Sequence, residues 1–291
     1  MYKNIIFLFT VFLIGCSTSS PQEEPQGVLP GPIDTSGLPD VNAPDYWDKA
    51  VLVWQEEFDD DTISKENWIS ETGAHGWGNN ELQNYTAEDN VSVSDGTLKI
   101  VAKKMELSPG TVEYTSARLN STTHFTYGRM EIRAKIPDHK GNGLWPALWM
   151  LGSNINTAGW PACGEIDIME YVSFEPNQTH FSIHSVANNH KDGTQVTSGP
   201  VILETIEEEF HNYGILWTDK YLKFYIDDIE NIKLRFPRPA ISNVENWPFS
   251  GPFYFLMNIA VGGDWGGLEG VNDAIFPAVM EVDYVRVYQV K

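Results

Sequence analysis

Three carboxylates, Glu165, Asp167 and Glu170, interrupt an apolar run in WPACGEIDIMEYV, residues 160–172. Side chains of a strand alternate between faces, so Glu165 and Asp167 share one face while Ile166 and Ile168 take the other. Strict alternation would next bring Met169, not Glu170, beside the first two acids. One extra residue, a β-bulge at Ile168 or Met169, returns Glu170 to the carboxylate face and leaves the apolar side chains for a core.

That arrangement has the parts of a glycosidase. At about 3.3 Å per residue, with one step lost to the bulge, the two glutamate α-carbons stand roughly 13 Å apart. Side chains leaning together bring their carboxyl groups within reach of the roughly 5 to 5.5 Å of a retaining pair; an inverting pair stands farther apart to admit a water. Three neighbouring carboxylates cannot all ionise freely, since each negative charge disfavours the next. The expected division is Glu165 ionised as nucleophile, Asp167 hydrogen-bonded to it and orienting it, and Glu170 with a raised pKa as general acid and then base. On spacing alone two other readings stay open. One is a solvated acidic strand face; the other is a cation site, against which the apolar residues between the acids argue, because calcium loops want short turns with glycine.

The elements that must hold this strand can be read from the rest of the chain. Short apolar or alternating runs at 51–57, 98–103, 128–136, 144–151, 165–172, 179–185, 213–217, 221–227, 253–260 and 280–289 are separated by turn signals such as SDGT, DHKGNG and AVGGDWGG. So many strands in 291 residues imply an all-β fold of two packed antiparallel sheets, most simply a jelly-roll sandwich. One modest helix is expected at 203–211. The 40 Asp plus Glu against 19 Lys plus Arg leave no basic surface for nucleic acid or for an anionic membrane. Ten tryptophans and 12 tyrosines with so little positive charge are compatible with uncharged sugars, whose C–H faces pack on rings. There is no G-x-S-x-G elbow, phosphate-cradling glycine loop or paired-cysteine metal motif.

The first 16 residues read as a targeting segment, with Lys3 ahead of a short apolar run that ends in LIGC. Leu13-Ile14-Gly15-Cys16 resembles the bacterial lipobox, which implies lipid attachment at Cys16 and a membrane lipoprotein; Glu23 and Glu24 point to export to the outer membrane surface. Cys163 is then the only other cysteine, so no intramolecular disulfide framework is expected. Residues 17–46, rich in Pro, Ser, Gly and Gln, read as a tether, and 47–291 as the catalytic domain.

GEIDIME resembles the E-x-D-x-x-E active-site strand of glycoside hydrolase family 16 in the bulged form of laminarinases, endo-β-1,3-glucanases; the regular E-x-D-x-E form is that of bacterial lichenases. The similarity extends from Val53 to Gln289 through WQEEFDD, WGNNELQNYT, YTSARLNS, YGRMEIRAKIP, LWPALWMLG, FYFLMNIAVGGDW and MEVDYVRVYQ, in the family's order. It implies a β-jelly-roll with a concave sugar groove, β-glucan as partner, no catalytic cofactor and a monomer. It also implies groove residues: Trp145 and Trp160 as platforms for glucosyl rings, Asn79 and Glu81 in a glycone-side loop, Arg118 as a donor to sugar hydroxyls or a loop anchor, His184 beside the catalytic strand, and Trp265 at a groove edge. For each the plain alternative is structural: a core tryptophan, a surface ion pair, a packed turn. His180 and His184 in HFSIH have the spacing of two zinc-helix histidines, but they lack the intervening glutamate and alternate as in a strand, so metal binding by that pair is not expected. Glu57, the Gly96 carbonyl and Asp283 match positions of a structural calcium carried by many members on the convex side. Rival readings are a family 16 hydrolase of algal galactans, and a noncatalytic glucan-binding lipoprotein; members of the latter kind usually lack the three acids that stand in order here.

Overall fold

Apolar residues at every second position turn most of the chain into sheet, and the pairing of those strands sets where the acids lie. The structure is a computed structural model that describes residues 40–138 and 140–291; Cys16 and the tether up to residue 39 lie outside the described residues. Among the described residues there are two sheets, of ten and eight strands.

In the larger sheet the order is β16 (Ile232–Pro237), β15 (Tyr221–Ile226), β14 (His211–Trp217), β8 (Gly128–Lys135), β18 (Ala278–Val290), β5 (Thr97–Ser108), β6 (Thr111–Ser116) and β3 (Gln83–Tyr85). Two strands lie off that path: β1 (Ala50–Glu56) on β18 and β4 (Val91–Ser94) on β5. The second sheet runs β12 (Val196–Thr197), β11 (Gln178–His184), β10 (Glu165–Glu170), β9 (Leu144–Gly152), β17 (Phe253–Val261), β7 (Arg118–Ser121) and β2 (Trp68–Glu71), with β13 (Val201–Ile202) on β11. Pairing is antiparallel with one exception, the parallel β3–β6 ladder.

Every run expected as a strand is one. The core lies between the sheets: Leu98, Ile100, Ile132, Ile215 and Val285 of the larger sheet meet Leu148, Met150, Ile166, Ile168, Met169, Phe255 and Met257 of the smaller, all fully buried. Burying one such side chain is worth about 1.5–3 kcal/mol. That anchors the inner face of β10 and leaves its outer face free to carry charge.

Two expectations are corrected. The helix at 203–211 is absent: single turns close there, with Ile206 N donating to Leu203 O and Glu209 N to Thr205 O, and β14 starts at His211. Glu207 explains this, since its carboxylate is buried to accept from Tyr171 OH (2.8 Å) and Asn177 N (3.0 Å), which fixes the segment by tertiary contacts. The fold also begins earlier than residue 47. Val41 and Trp47 pack on Leu216, Tyr221 and Tyr225, and Tyr221 OH donates to Val41 O (3.0 Å) while accepting from Trp47 Nε1 (3.2 Å).

Candidate active site

β10 carries the expected bulge. On the β9 side Asp167 pairs with Trp149 and Glu170 with Ala147; on the β11 side the same two residues pair with Ser182 and His180. Three steps along β10 therefore face two on each neighbour. Ile168 and Met169 both turn into the core, and Glu165, Asp167 and Glu170 share the opposite face. Glu165 and Glu170 lie opposite Leu151 and Ala147, an even number of positions apart, as that shared face requires.

The face is the floor of a cleft of about 740 Å³. Each glutamate is held by a tryptophan. Trp160 Nε1 donates to Glu165 Oε2 (2.9 Å) and Trp145 Nε1 to Glu170 Oε1 (3.2 Å). Asp167 sits between them, with His184 of β11 close by: His184 Nε2 is 3.2 Å from Asp167 Oδ2 and 3.7 Å from Glu165 Oε1. Burial is the main influence on all three acids, because a charge out of water is disfavoured. It pushes Glu165 up to about 8, with Asp167 adding to the rise and His184, the Trp160 N–H and Arg118 opposing it. Asp167 is likewise pushed up to about 8, and a hydrogen bond with Glu165 pulls the other way. Glu170 is held well above the carboxylate range, raised by burial and then by Asp167 and Glu165, with His184 and the Trp145 N–H opposing. The triplet thus carries fewer than three charges in neutral solution.

All the residues expected to hold sugar line the same cleft: Asn79, Glu81, Arg118, Trp145, Trp160, His184 and Trp265. Glu81 accepts from Gln83 Nε2 (2.7 Å), Asn79 Nδ2 (3.1 Å) and Tyr85 OH (3.3 Å), so its carboxylate is fixed although burial raises its pKa. Arg118 is both donor and stacked cation, with its Nε on Glu71 and its guanidinium over Trp77 (4.8 Å) and Trp149 (4.7 Å). Trp265 stands edge-on to Trp145 (5.4 Å) and to His180 (5.0 Å). Its loop is fastened across the cleft mouth: Asp264 N donates to Asn79 O (2.7 Å) and Asn80 Nδ2 to Asp264 Oδ1 (2.8 Å). Gly263 is required there, with φ +79° and no space for a Cβ, which would stand 2.9 Å from Asn79 O.

Several lining residues escaped the sequence reading. Trp149 shares its strand face with Trp145, and both line the cleft. Trp77, His75, His190 and Lys191 come from loops and reach the cleft only through the fold. His190 packs on Trp160 (4.9 Å) and Lys191 lies over the same indole (4.8 Å). His180 also lines the cleft, with Nε2 2.9 Å from Glu175 Oε2. The calcium set is different. Both Glu57 oxygens accept from Arg286 (2.7 Å each), and Asp283 accepts from Arg133 Nε (2.8 Å), while Gly96 is a turn residue with φ +72°. Carboxylates already matched to guanidinium groups do not form an open oxygen cage, so these residues as placed do not fit the ion.

The family pattern of Glycosyl hydrolases family 16 matches residues 78–286. The chain belongs to glycoside hydrolase family 16. It is 41% identical to a Beta-glucanase of Rhodothermus marinus over 99% of this chain and 95% of that one. It is 34% identical to a Glucan endo-1,3-beta-glucosidase of Cryptopygus antarcticus, over 81% and 91%. In structure it resembles a laminarinase from Flavobacterium sp. UMI-01, at TM-score 0.74 and 43% identity over 82% of this chain and 100% of that one. The family's jelly-roll and glycoside hydrolase chemistry therefore apply to this family 16 chain.

Proposed function

We propose that this glycoside hydrolase cleaves internal β-1,3 bonds of laminarin-like glucan, or of β-1,3-1,4 mixed-linkage glucan, with retention of configuration. One observation carries the reading: the bulge in β10 sets Glu165 and Glu170 on one cleft floor, each fastened by its own indole N–H. Glu170, held protonated by burial, protonates the leaving oxygen while Glu165, supported by Trp160 and His184, attacks the anomeric carbon. Asp167 orients Glu165 and accommodates the shifting charge between the two. Water deprotonated by Glu170 then releases the glycosyl-enzyme. Trp145, Trp149, Trp160 and Trp265 offer aromatic faces and edges along the cleft for successive glucosyl rings, with Asn79, Glu81 and Arg118 as hydroxyl partners.

No step needs a metal or cofactor; a structural calcium at Glu57, Gly96 and Asp283 would require Arg286 and Arg133 to swing away. The LIGC sequence supports a lipid anchor at Cys16 on a bacterial outer membrane, joined by the tether to a monomeric catalytic domain whose packing starts at about residue 41. Recovery of an unlipidated mature chain from the soluble fraction would refute the anchor.

The test of function is to incubate the chain with laminarin, mixed-linkage glucan, agarose and carrageenan, size the products and follow the first anomer by NMR. Laminarin is expected to break into a ladder of oligosaccharides whose first anomer is β. Laminarin that binds without being shortened would make the chain a binding protein, and an α-anomer first would overturn retention.

A further inference from the structure

Three side chains on the cleft floor each present one ligand-type atom to the same spot. Glu165, Asp167 and His184 each offer a ligand atom within 4.8 Å of the other two, with His184 Nε2 3.2 Å from Asp167 Oδ2 and 3.7 Å from Glu165 Oε1. Asp167 is only 3% exposed, yet its Oδ2 has no hydrogen-bond partner: the imidazole is near enough but not in line. His184 is 6% exposed and its Nδ1 is also unpaired. Buried polar atoms normally find partners, and the unpaired Asp167 Oδ2 lies beside Nε2, the imidazole nitrogen that faces both carboxylates.

The donor chemistry narrows what would bind there. An imidazole nitrogen with two carboxylate oxygens is the mixed nitrogen and oxygen set that zinc and its neighbours favour; calcium and magnesium take oxygen ligands. Metal–ligand bonds of about 2.0–2.2 Å at a tetrahedral angle put the donor atoms about 3.3–3.6 Å apart. Two of the three separations already bracket that range, and the third needs only a carboxylate to turn. Glu165 is free to do so as a single-oxygen ligand, because Trp160 holds Oε2 and leaves Oε1 to the cleft. The fourth position opens toward the cleft, where His190 stands against His184 with ring centroids 5.2 Å apart.

We propose that Glu165, Asp167 and His184 form a binding site for one divalent transition-metal ion of the zinc type, and that the ion shuts off hydrolysis by occupying the nucleophile. The inhibitory part rests on the reading of Glu165 as nucleophile; the binding part does not. Ion and sugar would compete for Glu165 Oε1, so metal would raise KM for laminarin and leave kcat unchanged.

The probe is Co2+ titrated into the tag-free full chain and followed by its visible absorption, with Zn2+ used to displace it. One equivalent is expected to give the intense bands of a low-coordinate cobalt site, and Zn2+ to abolish them. Glu165→Gln and His184→Gln should each weaken cobalt binding about tenfold or more. Glu165→Gln keeps the shape of the side chain and decides the matter alone if the histidine variant does not fold. No bands in the wild-type chain, or undiminished bands in both variants, would overturn the site. A metal that lowers kcat at unchanged KM would overturn the competition for Glu165. Failure to cleave any glucan would sink the proposed function and leave the cobalt result standing; cleavage without cobalt bands would sink the metal site alone.

Discussion

Glu165 stores the cost of its own usefulness. Burial lifts its pKa from the ordinary 4.5 to about 8, so the folded chain holds that proton more tightly than the unfolded chain does. A group raised in this way contributes stability that is fully present below about pH 4.5 and is lost as pH climbs through about 8. Glu165→Gln cannot ionise; scanning calorimetry should find its Tm equal to wild type near pH 4 and higher near pH 9, by about 2–4 °C for each kcal/mol relieved in a domain of this size. The same variant should lose turnover by a factor of about 10⁴ or more and still bind laminarin; wild-type rates would refute the nucleophile. The indole donors give a second pH test. Each tryptophan N–H stabilises the ionised form of its glutamate, so Trp160→Phe should move the acid limb of the kcat/KM profile to higher pH, and Trp145→Phe the alkaline limb to higher pH. Opposite movement of either limb would contradict the assigned roles. At this scale the acids were legible from spacing alone. The N–H donors were not, since Trp145 and Glu170 belong to different strands and meet only through the β9–β10 register.

At the scale of the element the bulge is the decisive feature, and parity tests it. Deleting Met169 alone restores plain alternation over Glu165, Asp167 and the following glutamate, so all three acids should still face the cleft. The cost is a fully buried Met side chain, about 2–5 kcal/mol of stability, with activity still measurable. Deleting Ile168 together with Met169 turns the last glutamate into the core, and activity should fall by at least the 10²–10⁴-fold that general acid catalysis supplies. Equal rates for the two deletions, at matched folding by circular dichroism, would mean that strand parity does not position the acid. The longer strands could be read from alternation because each buries an apolar face. Short polar strands such as β3 and β7 could not: QNY and RLNS carry little apolar pattern of their own and are strands only because a neighbour pairs with them. The 203–211 segment failed for a related reason, its run of acids reading as helix while a single buried carboxylate, Glu207, fixes it as turns.

At the scale of the whole molecule, composition and packing give different starts for the domain. Composition puts the end of the tether at residue 46, since Pro, Gly and Asn persist to Pro44 with no periodicity. Packing sets it earlier. Val41 has no pattern to announce it, yet its carbonyl and the Trp47 indole share the Tyr221 hydroxyl, and both side chains cover a patch of the larger sheet formed by Leu216, Tyr221 and Tyr225. Tyr46 is buried beside them, its ring edge-on to Trp47 at 4.9 Å. This patch lies on the outer side of that sheet, away from the core between the layers, so its loss should lower stability without touching the acids. A chain starting at residue 40 should therefore melt with the full chain. One starting at residue 50 loses the Trp47 and Val41 contacts and strands the Tyr221 hydroxyl; at about 1–3 kcal/mol for the unpaired group and its lost cover, Tm should fall by roughly 2–12 °C while the laminarin rate per folded molecule stays the same. Equal melting of the two truncations would return the boundary to residue 46, and a loss of rate in the shorter one would mean that the docked segment reaches the cleft through the sandwich.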